Sequence, residues 1–294
     1  MCIRDRFSTL KNTDNRISTD FSWSGWAIYN SIGEFKRTVP EITVWPFVIM
    51  PDHVHIILFA NRRLEKHLGR YVSDLKTRCT QMFQRKSLVY GYTQESIFLP
   101  GFNDRILYGD NQLERWTNYI RDNPRRLFIM RSSPDFFTKA NIFQSSILPS
   151  HLWLPGQEPL VQTLGNRLLL EYPELHVVKF SSSFSPEEWR QKKTIALQVA
   201  KNSGVLVSPF IHKEEKYILE EGLRLGAKVI KIVPDGFLER EKPQGADFYH
   251  CAEGRMLLAA MNAGAYSKTK PTRELCQRMN KLAVWVSEHA QLLL

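Results

Sequence analysis

Apolar and polar positions follow two different rhythms along the chain. In the first half, residues 45–50 and 54–59 are apolar runs split by Pro51-Asp52, a turn-forming pair, which predicts two antiparallel strands. Leu64, Leu68, Val72, Leu75 and Cys79 then recur at spacings of three and four, predicting a helix over 64–86. Leu113, Trp116 and Ile120 predict a second amphipathic helix over 111–126, in which Pro124 disfavours helical geometry at Asn123. Strands followed by helices, with no strand–helix–strand alternation, predict an α+β unit with an antiparallel sheet.

The second half alternates. Residues 176–181, 205–210 and 228–233 are short β-branched runs. Between the first two, Ser185 and Glu188 form a capping-box pattern that opens a helix over 186–201. Between the second and third, residues 213–225 read as a helix closed by Gly226. Leu275, Met279, Leu282 and Val286 predict a packing helix within 272–294. This order predicts a Rossmann-like α/β unit with a parallel sheet. Residues 132–158, rich in Ser and Pro, read as a linker between domains at 1–131 and 159–294.

A length of 294 residues with 43% hydrophobic content accommodates two cores. No apolar run approaches the ~18 residues of a membrane span, and no secretory signal is read near Met1. Cys2, Cys79, Cys251 and Cys276 stand apart without metal-type pairing, so a disulfide framework is not expected. The expectation is a cytoplasmic protein with no membrane partner. Charge adds a direction. Residues 1–132 hold 20 Lys and Arg against 13 Asp and Glu, or +7, leaving +3 of the total +10 for the rest. That bias points the N-terminal half towards a polyanion.

Two constellations in that half bear on chemistry. His53 and His55 flank Val54, and on a strand they point to one face, where two imidazoles make the beginning of a divalent-metal site. Two half-exposed histidines packing on a sheet are the alternative. Tyr119 and Asn123, four apart, share a helix face. Taken alone, Tyr119 reads as a packing aromatic.

Their joint order changes the weighting. His53-Val54-His55 after an apolar strand, Leu68-Gly69-Arg70 in a basic helix, residues 102–106, and Tyr119-Ile120 followed by Asn123-Pro124 resemble the single-tyrosine HUH transposases, in particular the REP-associated tyrosine transposases. The resemblance covers about residues 7–130 and implies a ferredoxin-like α+β fold, the HUH fold, with its first strand near residues 4–10. It implies that His53 and His55 bind Mg²⁺ or Mn²⁺, that Asn123 completes the metal shell, and that Tyr119 is the nucleophile. The implied reaction is cleavage and rejoining of single-stranded or hairpin DNA through a 5′-phosphotyrosine, without ATP. Arg70, Lys76, Arg105 and Arg121 are the cations expected to hold the DNA, and a homodimer is a possible assembly. Two rivals remain: a DNA-binding protein without catalysis, and a metal-dependent hydrolase in which water attacks.

In the second half, residues 205–210, Glu214-Glu215-Lys216, residues 228–233, Gly236-Phe237 and Cys251-Ala252 with Gly254-Arg255 resemble the Rossmann-like domain of DNA-processing protein A over about residues 160–260. No GxGxxG is present, so a dinucleotide site is not expected. Ser208 and His212 fall at the carboxyl edge of the predicted sheet, read as a switch point that could bind a ligand. For Ser208, Glu215 and Arg255 the preferred reading is helix capping and a structural ion pair. Lys268, Lys270 and Arg273 are further candidate DNA contacts.

Overall fold

The computed structural model describes residues 6–13, 16–87, 96–142, 148–153, 159–181, 183–238, 241–262 and 272–293. The chain divides into two compact units, Met1–Ile129 and Met130–Leu294. The first is α+β with antiparallel pairing and the second is α/β.

In the first unit, β1 (Ser8–Thr13) and β2 (Arg16–Phe21) pair antiparallel from Ser8↔Phe21 to Thr13↔Arg16. The strand expected near residues 4–10 is therefore shifted towards the C-terminus; Arg4 and Cys2 lie outside the described residues. Helix α1 (Trp23–Thr38) is opened by Ser22, whose Oγ accepts from the Gly25 amide at 3.2 Å and donates to the Arg6 carbonyl at 2.7 Å. Gly25 is required there, since a Cβ would sit 2.0 Å from the Phe7 carbonyl oxygen. Ile28, Ile32 and Phe35 recur on the inner face and are buried.

Strands β3 (Ile42–Ile49) and β4 (Val54–Ala60) form the hairpin that the apolar runs predict. Its turn is closed by the Met50 amide donating to the His53 carbonyl at 2.8 Å. The register shifts between Val44 and Phe47, around Pro46, which lacks the amide a regular ladder needs. Among the described residues β1–β2 and β3–β4 are two separate two-stranded sheets. Val54, Ile56 and Leu58 pack on the core made by α1 and β3, so alternation sends His55, Ile57 and Phe59 to the opposite face. Helix α2 (Leu68–Ser87) starts four residues later than its apolar spacing suggests and buries Leu75 and Cys79 in the same core. Helix α3 (Asp110–Ser132) continues through Pro124.

The second unit carries a six-stranded mixed sheet in the order β5-β6-β10-β9-β8-β7. Its parallel part is β7 (Leu175–Val177), β8 (Val205–Ser208), β9 (Lys228–Asp235) and β10 (Met256–Asn262). β6 (Val161–Gly165) and β5 (Lys139–Ile142) add antiparallel on the β10 side. Helices α4 (Pro186–Lys201), α5 (Lys213–Arg224), α6 (Ala246–Ala252) and α7 (Arg273–His289) complete it. The buried strands divide by period two. Val205, Val207, Ile230, Ile232, Leu257 and Ala259 share a cluster with Leu282 and Val286 of α7. Leu206, Val229, Met256 and Leu258 pack with Ala200 of α4, Ile218 of α5 and Cys251 of α6.

Two expectations change. The stretch read as a linker at 132–158 contains β5, an edge strand of this sheet, and buries Leu148, Leu152 and Trp153, whose indole donates to the Met261 carbonyl at 3.0 Å. Its prolines punctuate short 3₁₀ turns at Pro134–Phe137 and Ser150–Leu152; a separator would leave those apolar residues in water. The switch point expected after β8 is absent as well. β7, β8, β9 and β10 add in sequence order across the sheet, so the chain does not reverse direction beside β8.

Candidate active site

The strand face opposite the core places His53 and His55 beside α3. Their Nε2 atoms stand 3.1 Å apart with the rings edge to face. Asp52 Oδ1 lies 2.6 Å from His53 Nδ1, placed to accept from it, and His53 Nε2 is directed towards His55. Tyr119 joins them from α3: its ring centroid is 5.8 Å from that of His55 and 5.3 Å from that of Trp116. Residues more than sixty positions apart in sequence thus meet, because β4 turns its histidine face outwards and α3 lays the Trp116–Tyr119 side of its surface there.

The donor set suits a divalent cation in one respect. Two imidazole nitrogens bound at about 2.0–2.1 Å, at octahedral or tetrahedral angles, lie roughly 2.8–3.4 Å apart, and the observed 3.1 Å falls within that range. The Asp52 carboxylate behind His53 is the outer partner that orients a ligating imidazole. Among the described residues no group of three or more His, Cys, Asp and Glu is placed to hold a metal, so the pair supplies two ligands. Asn123, expected as the third, is buried, and its Nδ2 donates to the Tyr119 carbonyl at 2.8 Å, which leaves Oδ1 as the atom it could offer. Helical geometry at Asn123 survives the following proline.

Two residues join the site that the sequence reading passed over. Arg126 is buried, and its guanidinium lies 5.6 Å from the centre of the Tyr119 ring. Its signal was available, since Tyr119, Asn123 and Arg126 are spaced four and three apart on one face. Asp52 is the second; in the sequence its pairing with Pro51 marks only a turn. Beside them, the Trp116 indole N–H is buried without a hydrogen-bond partner among the described residues, and Arg105 covers that ring at 5.4 Å.

The expected DNA-holding cations divide. Arg70, Arg105 and Arg121 are exposed. Lys76 is engaged within the fold: its ammonium donates to the carbonyls of Leu99 at 2.6 Å and Gly101 at 2.8 Å, tying the 97–102 segment to α2. Lys268 and Lys270 lie outside the described residues.

In the second unit the candidate edge residues are built into the fold. Ser208 is fully buried and its Oγ accepts from the Phe210 amide at 3.0 Å. That bond supports Phe210 in the left-handed region at φ 51°. His212 caps α5 through Nδ1, accepting from the Glu214 amide at 3.2 Å. Glu215 accepts from the amides of Phe180, Ile211 and His212 at 3.0, 2.8 and 3.1 Å. Arg255 pairs with Glu253 and donates to the Leu223 carbonyl at 2.8 Å. The capping and ion-pair reading of these residues agrees with this geometry. Cys79 and Cys251 are buried thiols pushed up to about 12, by burial in both and also by Asp247 for Cys251, so neither is a nucleophile.

No family model and no curated protein matches the chain. Among solved structures it is similar to DNA processing protein A from Helicobacter pylori, described for its single-stranded DNA binding mode, at 18% identity and a TM-score of 0.34. The match covers 51% of this chain and 66% of that one, just under two thirds. A likeness of this size transfers neither fold nor function.

Proposed function

We propose that the N-terminal unit cuts and rejoins single-stranded DNA, with Tyr119 as the nucleophile. The observation that supports this reading is the meeting of His53, His55 and Tyr119, with Nε2 atoms 3.1 Å apart and the phenol ring beside them. A Mg²⁺ or Mn²⁺ ion held by the two Nε2 atoms, with Asn123 Oδ1 as a further donor, would neutralise charge developing on the scissile phosphate. Tyr119 Oη attacks phosphorus in line, forming the Oη–P bond as the P–O3′ bond breaks. The phenolic proton passes to solvent and the departing 3′ oxygen takes one up, leaving a 5′-phosphotyrosine and a 3′-hydroxyl. Attack by a 3′-hydroxyl reverses the step, so rejoining needs no ATP. Arg126, against the ring face, holds the phenol in register with the histidines. Asp52 keeps the His53 Nε2 lone pair pointing into the site. Arg105, with the net positive charge of residues 1–132, attracts the phosphate backbone.

The test is a labelled single-stranded hairpin oligonucleotide incubated with the protein and Mn²⁺, then run on a denaturing gel. A covalent adduct is expected with the wild type and none with Tyr119→Phe, which keeps the ring that packs beside Trp116. Metal and DNA binding should persist in that variant. Cutting without an adduct would identify water as the attacking group, and an adduct surviving in Tyr119→Phe would place the nucleophile elsewhere. His53→Ala and His55→Ala are each expected to abolish adduct formation, because one imidazole cannot hold the ion in place. Full activity of either variant in a chelator would remove the metal from the reading.

A further inference from the structure

Helix α1 turns an aromatic and cationic face to solvent, where a surface helix is ordinarily polar. Trp26 and Tyr29 are 50% and 45% exposed, and Trp23 at the first turn is 44% exposed. Gly33, Lys36 and Arg37 continue the same stripe at spacings of three and four. The rings form one connected group. Phe21 of β2 lies 5.4 Å from Trp26 and 5.7 Å from Tyr29; Trp26 and Tyr29 are 5.6 Å apart, and Tyr29 is 6.0 Å from Phe47 of β3. The Lys36 ammonium stands 5.5 Å from the centre of the Phe47 ring. Trp26 meets both Phe21 and Tyr29 edge to face, which leaves ring faces unstacked. Charge on this face is mainly positive: Glu34, the one acidic residue of α1, lies at its edge, about 100° round the helix from Gly33 and about 60° from Arg37.

We propose that this face is a stacking site for unpaired nucleobases of single-stranded DNA. The inference rests on the reading of this unit as one that acts on such DNA. Trp26 and Tyr29 take the bases, and Lys36 and Arg37 meet the phosphates that follow. Every base offers a π-face, so a site of this kind grips a strand irrespective of sequence. Two cations beside the rings, with Glu34 only at the edge of the face, favour a polyanion over a second protein surface, whose apolar patches are bordered by charges of both signs. Gly33 opens a step between rings and cations: a Cβ there would meet nothing within 4 Å.

The experiment uses the full chain and two labelled oligonucleotides of equal length and charge, one oligo(dT) and one abasic, followed by fluorescence anisotropy. Trp26→Ala combined with Tyr29→Ala is expected to weaken oligo(dT) binding about tenfold or more and to leave abasic binding unchanged. Gly33→Glu is the second variant. It adds a carboxylate to the stripe without a clash and with better helix propensity, so its loss of oligo(dT) affinity cannot come from unfolding; circular dichroism checks both proteins. Wild-type affinity for oligo(dT) in both variants overturns the proposal, as does a wild-type protein that binds abasic and dT strands equally. Loss of self-association on sedimentation, with DNA binding intact, would make the face a contact between copies and overturn it equally. Failure of the nuclease reading looks different: no adduct from wild type, while ring-dependent binding to oligo(dT) persists. A wild type that binds no single-stranded DNA removes both.

Discussion

At the residue scale, a few buried polar side chains hold backbone that neither helix nor sheet can satisfy. Glu215, 2% exposed, accepts from three amides in two different loops, those after β7 and β8. Glu215→Ala would leave three donors without partners, each costing about 1–3 kcal/mol, so a loss of about 3 kcal/mol or more is expected in urea unfolding. A loss under 1 kcal/mol would mean that water replaces the carboxylate. His176 contributes a pH dependence. Burial, with Lys192 nearby, lowers it from its ordinary value of 6.5. The unfolded chain therefore takes up a proton that the native state resists, and stability, full above pH 6.5, falls as pH drops from there through the folded value. His176→Gln should flatten the decline of the urea midpoint between about pH 7 and about pH 5. A decline as steep as wild type would assign it to other groups. Asp52 belongs to the same scale. Asp52→Asn removes the charge that orients His53, and Mn²⁺ affinity by titration calorimetry should fall about 10- to 100-fold with the fold intact. Unchanged affinity would reduce Asp52 to a turn residue.

At the element scale, what was legible depended on whether the chain carried local chemistry. Helix α4 was legible to the residue because Ser185 and Glu188 bond reciprocally, Ser185 Oγ to the Glu188 amide at 3.2 Å and the Ser185 amide to Glu188 at 2.7 Å. Ser185→Ala is expected to cost about 1 kcal/mol, seen as a lowered thermal midpoint; no change would show that the cap is replaced by solvent. The β3–β4 hairpin and α7 were legible for the same reason: Pro51-Asp52 and Thr272 mark boundaries beside strong periodicity. Strand β10 was not. Met256–Asn262 is made of Leu, Ala and Met with a final Asn, has no β-branched residue, and is a strand because β9 and β6 pair with it on both sides. Helix α1 was missed because aromatics on its outward face erase the contrast between polar and apolar sides. In the site, the His53–His55 pair and Tyr119 were named from sequence, and the structure brings them together. Lys76 could not be assigned from sequence, since its partners are carbonyls some 25 residues onward, a contact that only tertiary structure creates.

At the scale of the whole molecule, two separate cores coexist in one chain. The buried cluster of the first unit draws on residues between Phe7 and Ile97, and the two clusters flanking the large sheet draw on residues from Leu148 onwards. Each unit thus has a core of its own, and a division after Ser132 keeps α3 whole. The charge divides unequally across that point, +7 against +3. If single-stranded DNA is bound mainly by the first unit, counterion release must follow the same division. Each phosphate neutralised contributes about −0.7 to the slope of log K against log salt. Segment 1–132 is therefore expected to keep most of the slope measured for the full chain, and segment 133–294 little of it. The measurement is anisotropy of a labelled oligo(dT) across a salt series, with circular dichroism confirming that each segment folds. A slope that travels instead with 133–294 would move the DNA surface to the α/β unit. The histidine–tyrosine constellation would then sit on a unit that does not hold the strand it is proposed to cut.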